Sequence, residues 1–307
     1  MSNKIFDVII LGAGPAGLAA GIYASRAKLS TLILNEGAIG GQLTLTNEIA
    51  NYPGVETTSG YSLVSTMKKQ AKEFSCIIKS NKQITSFKLD GKIKSITVNN
   101  TEVFEAKTVI LATGGTPRML GIQGEKNFKG RGVSYCATCD GDFFTNKEIV
   151  VIGGGNSALE EAVALTNFAS KVTVVHQFDK FQAFEFAIQE AKQNPKISFI
   201  MESEPREIIG GESVESIKIE HLPTGKTSEI KTDGIFIFIG YVPNTEKLKN
   251  QIALNNYGEI VVDADMNTNI PGVFAAGDSI HKRFRQVTTA VADGTIAALS
   301  VSAYVRQ

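Results

Sequence analysis

Asp7-Val8-Ile9-Ile10-Leu11-Gly12-Ala13-Gly14-Pro15-Ala16-Gly17-Leu18-Ala19-Ala20 is the stretch on which the fold turns. An apolar, β-branched run over residues 7–11 reads as a buried strand, and the pattern after Gly17 reads as a helix to about residue 27. A second apolar strand follows at residues 31–34. Between strand and helix, Gly12 permits a tight turn, Gly14 lets the backbone approach a pyrophosphate, and Gly17 lets the helix pack closely on the strand. The helix N-terminus itself favours the anion. Glu36, at the end of the second strand, stands where a carboxylate binds ribose hydroxyls.

The same grammar recurs. Residues 148–152 form a strand, Gly153-Gly154-Gly155-Asn156-Ser157-Ala158 a glycine turn, and a helix to about residue 169 precedes a strand at 171–175. The second turn fits G-x-G-x-x-A through Gly153, Gly155 and Ala158. Two short segments, 114–118 and 240–244, join a strand end to Gly and Pro punctuation and read as crossings between units. No further βαβ unit starts after the second crossing, and Val273-Phe274-Ala275-Ala276-Gly277-Asp278 reads as a strand ending in a ligand loop. The expected fold class is therefore α/β, with two Rossmann-like nucleotide-binding domains, the second inserted into the first. Residues 1–116 and 245–307 form the outer domain and 117–244 the inserted one.

Composition agrees with this class. The chain has 307 residues, 43% hydrophobic, enough for two cores. Lys plus Arg equals Asp plus Glu at 31 each, so no global charge draws it to nucleic acid or an anionic membrane. The apolar stretch from residue 8 to 24 is broken by glycines and lacks the flanks of a signal peptide or span, so a soluble, cytoplasmic chain is expected. Three cysteines do not make a disulfide scaffold. Cys76 reads as a structural thiol.

A specific resemblance rests on Gly40-Gly41-Gln42-Leu43, Asn51-Tyr52-Pro53-Gly54, Ala112-Thr113-Gly114, and Ala276-Gly277-Asp278 with Arg285-Gln286. With these motifs the chain resembles the low-molecular-weight thioredoxin reductase family over essentially its whole length. The resemblance implies FAD in the outer domain, a homodimer, and flavin contacts from Gln42, Asn51, Asp278 and Gln286. Gly41, Thr113, Gly114, Gly277 and Arg285 accompany them as cofactor-binding positions, beside Gly12, Gly14, Ala16, Gly17 and Glu36.

Cys136-Ala137-Thr138-Cys139-Asp140 is a single C-x-x-C, and His176, His221 and His281 have no ligand spacing to it. Metal binding is disfavoured and redox exchange favoured. The resemblance assigns Cys139 to the flavin and Cys136 to attack on an external disulfide, that of thioredoxin. Thiolate leaving groups need a proton, which makes Asp140 the acid. A pair that serves both flavin and partner implies rotation of the domains about crossings near Thr116 and Tyr241.

The inserted domain departs from the family pattern. NADPH-dependent members carry His-Arg-Arg-Asp-x-Phe-Arg after the fourth strand of this motif pair; here His176-Gln177-Phe178-Asp179-Lys180-Phe181-Gln182 has no arginine. Charged hydrogen bonds to a 2′-phosphate contribute about 1.5 to 3 kcal/mol each, so Gln177, Phe178 and Gln182 mark a vestigial nucleotide site and NADPH is unlikely. NADH is not excluded, although Asp179 falls two or three residues late for a ribose carboxylate. Phe178, Phe181 and Phe184 share one face if the segment is helical, which suits core packing; alternatively the rings cover the groove.

A subgroup resembling the chain in this loss, the ferredoxin-dependent flavin thioredoxin reductases, makes reduced ferredoxin the expected donor. Basic landing surfaces for such an acidic protein are Lys68, Lys69 and Lys72, or His281-Lys282-Arg283 with Arg285. Tyr304 is a candidate to cover the flavin ring. The competing reading is a non-catalytic flavin-binding module, against which the intact cysteine pair argues.

Overall fold

The computed structural model describes residues 4–45, 49 and 51–307, apart from the side chains of residues 45, 138 and 139. In chain order, β1 (Ile5–Leu11), α1 (Pro15–Arg26), β2 (Thr31–Leu34), α2 (Gly60–Glu73), β3 (Ile77–Lys79), β4 (Ile84–Lys88), β5 (Lys94–Val98), β6 (Glu102–Leu111) and β7 (Gly115–Pro117) come first. Then follow β8 (Val133–Ser134), α3 (Ala137–Asp140), β9 (Glu148–Ile152), α4 (Asn156–Leu165), β10 (Lys171–Val175), α5 (Glu185–Gln193), β11 (Ile197–Ile200), β12 (Ser203–Gly210), β13 (Val214–His221), β14 (Lys226–Lys231) and β15 (Gly234–Ile237). The last elements are β16 (Tyr241–Pro243), β17 (Val273–Ala275) and α6 (Val287–Val305). Two compact units result, one of residues 1–116 and 242–307, the other of 117–241.

The outer unit is built on a seven-stranded sheet among the described residues, ordered β3-β2-β1-β6-β5-β4 with β17 also on β6. Strand β6 pairs parallel with β1 on one edge and serves two partners on the other: Glu102–Ala106 pairs antiparallel with β5, and Val109–Leu111 parallel with β17. Val8–Leu11 are fully buried, as expected for a central parallel strand covered on both faces. Pro15 starts α1 after Gly14 at its N-cap, where its fixed φ and missing N–H cost nothing. Small residues then let α1 meet α6 backbone to backbone: a Cβ on Gly294 of α6 would lie 2.1 Å from the Ala16 carbonyl oxygen.

The inserted unit carries a five-stranded parallel sheet, β11-β10-β9-β15-β8, and a three-stranded antiparallel sheet, β12-β13-β14. Ile149, Val151 and Val174 face the helix side with Leu159, Ala162 and Leu165 of α4. Val150, Ile152 and Val175 face Ile208, Ile217 and Ile219 of the antiparallel sheet. Alternation along each strand thus builds two cores from one sheet.

Two local expectations change. The helix after the second glycine turn stops at Leu165, and residues 166–168 turn back under Val163 and Leu165 carbonyls. The Phe178–Phe181–Phe184 segment is not helical, since α5 begins at Glu185. The Gln182 backbone N–H donates to Gly154 O at 2.8 Å and Gln182 bridges Gly155, which ties this bent segment to the glycine turn. At the crossings, β7 and β16 pair as a two-stranded sheet.

Candidate active site

The first glycine turn sits at the C-terminal end of β1, where open parallel sheets bind ligands. Gly12 has φ +108°, and a Cβ there would lie 2.1 Å from Ala112 O. A Cβ on Gly17 would lie 2.0 Å from Gly12 O, whereas Gly14 has nothing within 4 Å of that position. Two glycines are thus demanded by the protein's own packing and the middle one leaves a space. Gly41, at φ +58°, brings its Cβ position to 3.5 Å from Gly14 Cα, so the 40–43 loop borders the same space. Asn35 fastens the turn: its Oδ1 accepts from Ala13 N at 2.9 Å while its amide donates to Gly37 O and Ala38 O.

Glu36 is half exposed and already engaged through one oxygen, which accepts from Ile84 N at 2.8 Å and from Lys247 Nζ. Asn51 and Gln286, 235 residues apart in sequence, meet at 3.4 Å, with Gln286 at the N-cap of α6 and its backbone N–H donating to Thr289 Oγ1. Gln42 lies exposed in the short turn Gly41–Leu45. Gly114 has φ +61°, and the Thr113 carbonyl accepts from Asn244 Nδ2 at 3.0 Å.

Gly277 is in the left-handed region at φ +76°, and its N–H donates to Asp293 Oδ2. The same oxygen takes Lys282 Nζ in a largely buried ion pair. Burial pushes the neighbouring Asp278 carboxyl up, an effect opposed by Lys282 and Arg285 and reinforced by Asp293. Asp278 Oδ1 and Thr113 Oγ1 are buried without a hydrogen-bond partner among the described residues. Buried polar atoms are normally satisfied. Two orphaned oxygens beside an open glycine cradle therefore fit a polar, dinucleotide-sized group such as FAD.

The basic surface expected at 281–285 is largely spent internally. Lys282 is held by Asp293, and Arg285 Nη2 donates to Glu259, which also takes His281 Nδ1 at 2.8 Å and Asn255 Nδ2 at 2.6 Å. Burial works to raise the Glu259 carboxyl, but hydrogen bonds from His281 and Asn255 and the Arg285 charge outweigh it and hold it below the usual range. Lys69 of the other cluster pairs with Glu73 at 4.0 Å on the exposed face of α2. Tyr304 packs edge-on against Phe274, ring centroids 6.1 Å apart, near the far end of α6 from Gln286. At 1.5 Å rise per residue the two are roughly 27 Å apart along the helix.

In the inserted unit, Cys136 precedes α3 and is disulfide-bonded. Cys139 contributes its backbone to α3, but its side chain lies outside the described residues. Asp140 accepts from Ser134 Oγ through Oδ2 at 2.6 Å. On the other side of Cys136, Tyr135 OH donates to the fully buried Glu125 at 2.7 Å, a carboxylate that also accepts from Leu120 N and Gly121 N. Burial and that carboxylate push the Tyr135 phenol up, so it stays a donor. Cys76 belongs to the outer unit's core, where burial pushes its thiol up to about 11 and removes it from thiolate chemistry at neutral pH.

The second glycine turn has Gly153 at φ +136°, its Cβ position 2.4 Å from Phe238 O. Around it the chain is crowded with aromatic groups. A Cβ on Gly154 would lie 2.4 Å from His176 Nδ1, so the buried imidazole rests on the turn itself. Phe181 stacks on His176 at 5.7 Å and Phe178 meets it edge-on at 5.4 Å. Asn156 at the start of α4 spends its Oδ1 on Phe184 N. Gln177, Phe178 and Gln182 are exposed, and Ala158 is buried in the turn. Among the described residues no cluster of His, Cys, Asp and Glu could hold a metal, and no helix is long and apolar enough to cross a membrane.

Several supporting residues have no local sequence signal: Asn35, Lys247, Asp293 and Glu259 act on partners brought close only by the fold. Ser134 could have been found, because a hydroxyl two residues before a C-x-x-C is within reach of it.

A glycine cradle in one unit and a disulfide-bonded C-x-x-C cysteine in the other point to a flavoprotein that handles disulfides. Residues 6–294 match the family described as pyridine nucleotide-disulphide oxidoreductase, and the chain belongs to that class, which implies FAD. Thioredoxin reductase from Peptoclostridium acidaminophilum is 47% identical over 99% of this chain and 98% of its own. The crystal structure of thioredoxin reductase from Streptococcus pyogenes is 42% identical, covers 99% of both chains and superposes with TM-score 0.82. A ferredoxin-flavin thioredoxin reductase from Clostridium acetobutylicum is more distant, 31% identical over 97% of each chain with TM-score 0.52. Within the class, the chain belongs to the low-molecular-weight thioredoxin reductase family.

Proposed function

We propose that the chain reduces thioredoxin through the Cys136/Cys139 pair and that its flavin takes electrons from a donor other than NADPH, reduced ferredoxin first. The observation that carries the donor assignment is the segment 177–182, where Lys180 is the one cation and Gln177, Phe178 and Gln182 stand where a 2′-phosphate needs arginines. An iron-sulfur donor needs no such grip. NADH is the second reading, because the Gly153 turn is intact and the Gly155 Cβ position meets only Gln182 O, at 3.8 Å.

In this reading the first cradle holds FAD. Gly12, Gly14, Ala16 and Gly17 receive the pyrophosphate at the start of α1, and Glu36 offers its second oxygen to the ribose. Gly41, Gln42, Asn51, Thr113, Gly114, Gly277, Asp278, Arg285 and Gln286 surround the rest. The bound flavin supplies conversion between one-electron and two-electron transfer. Asp140 holds the proton that a leaving thiolate takes, and Cys136 attacks the partner disulfide. A homodimer and a cytoplasmic setting go with this reading by family likeness.

Anaerobic mixing of the oxidised protein with reduced ferredoxin, NADH or NADPH, followed by flavin absorbance, tests it. Bleaching by ferredoxin alone is expected. Bleaching by NADH alone replaces the donor with the second reading, and rapid bleaching by NADPH overturns the assignment.

A further inference from the structure

Ser134 ends β8 and is 4% exposed. Its Oγ lies 2.6 Å from Asp140 Oδ2, 3.1 Å from Cys136 N and 3.2 Å from Cys136 O. A hydroxyl carries one proton and two lone pairs, so it cannot donate to the carboxylate and to the carbonyl at once. With Asp140 charged, the Ser134 proton points to Oδ2 and Cys136 N–H fills a lone pair. With Asp140 protonated, the carboxyl O–H donates to Ser134 Oγ and the serine proton turns to the Cys136 carbonyl. Both arrangements use the same three partners.

We propose that Ser134 is a positioning residue that couples the protonation of Asp140 to the Cys136 peptide, keeping the exchanged proton beside the interchange thiol. The inference rests on the exchange roles given above to Cys136 and Asp140. The 2.6 Å contact is in the range of a charge-assisted O–H to carboxylate bond. The backbone around it is anchored: Tyr135 is tied to Glu125, and Ser134 pairs with Phe236 in the sheet. A proton can change place there without the chain moving.

The exchange balances as follows. The Cys136 thiol gives its proton to Asp140 and its sulfur bonds to one sulfur of the partner disulfide, whose S–S bond breaks. The leaving sulfur takes the proton from Asp140. The Cys139 thiol then loses its proton by the same route, its sulfur bonds to Cys136 Sγ, and the second partner sulfur leaves as a thiol. Two electrons and two protons pass from the dithiol to the partner.

The test is rapid-mixing of the reduced holoenzyme with oxidised thioredoxin across pH, using Ser134→Ala, Ser134→Thr, Asp140→Asn and the Ser134→Ala/Asp140→Asn double variant. Ser134→Ala should slow the transfer about tenfold, the size of one lost hydrogen bond, and move its pH dependence to higher pH. Ser134→Thr, which keeps the hydroxyl, should restore the wild-type profile. In the Asp140→Asn background Ser134→Ala should have little further effect, with thermal midpoint and flavin content followed as controls. An unshifted pH profile in Ser134→Ala, or full additivity with Asp140→Asn, overturns the coupling. If Asp140→Asn transfers at the wild-type rate, it is the exchange role of Asp140 that fails, and the coupling falls with it.

Discussion

The two glycine turns, 12–17 and 153–158, share a backbone and the packing of its first glycine, and differ in what borders the rest. In both, the first glycine adopts positive φ against a carbonyl that leaves no room for a Cβ: Ala112 O for Gly12 and Phe238 O for Gly153. Beside the first lie an open space at Gly14 and two orphaned oxygens, on Thr113 and Asp278. Beside the second, His176 rests on Gly154, Gln182 bridges Gly155, and Asn156 is spent on the Phe184 amide. A glycine fingerprint thus reports a turn. What the turn serves is decided by residues that the fold brings from elsewhere.

The contrast can be broken most severely within the first turn. Gly17→Ala drives a Cβ into Gly12 O and should cost about 4 kcal/mol or prevent folding. Gly14→Ala meets nothing and should leave the thermal melt of the flavin-free protein nearly unchanged while weakening flavin retention. Equal effects on the flavin-free melt would erase the distinction between structural and ligand-facing glycines.

The second turn can be pushed toward nucleotide binding. Two arginines placed by Gln177→Arg and Gln182→Arg, at about 1.5 to 3 kcal/mol per charged hydrogen bond, should raise the rate of flavin reduction at low NADPH by roughly a hundredfold or more. No gain would mean that the aromatic crowding around His176, rather than missing charge, closes the site.

The smallest effect belongs to His176 itself. Burial depresses its imidazole, with the Lys180 carbonyl pulling the other way. The folded state therefore binds this proton less readily than the unfolded chain, whose histidine titrates near 6.5. The stability linked to a neutral His176 is present above about pH 6.5 and is lost as pH falls below it. Thermal midpoints measured from neutral to mildly acid pH should show this slope in the wild type and lose that part of it in His176→Gln.

The backbone of both turns was legible because strand, glycine spacing and helix are local. The non-helical course of residues 178–184 was not, since three phenylalanines at helical spacing also suit a bent chain held by Gln182 on Gly154. Arg285 and Lys282 read as exposed cations in sequence. Only the fold reveals that Glu259 and Asp293 neutralise them, because those partners come from a different loop and from α6. The meeting of Asn51 with Gln286 follows the family motifs, whereas the support from Lys247 to Glu36 has no motif to announce it.

The contact between Gly294 and Ala16 also sets an order of assembly during synthesis. The inserted unit is continuous in sequence and can close as soon as β15 has been made, in keeping with domains that fold as units while the chain emerges. The outer unit must wait for its final helix to cover α1. A chain paused before α6 would therefore carry a closed inserted unit and an outer sheet whose α1 face is still open and aggregation-prone, so chaperone demand should peak in that interval.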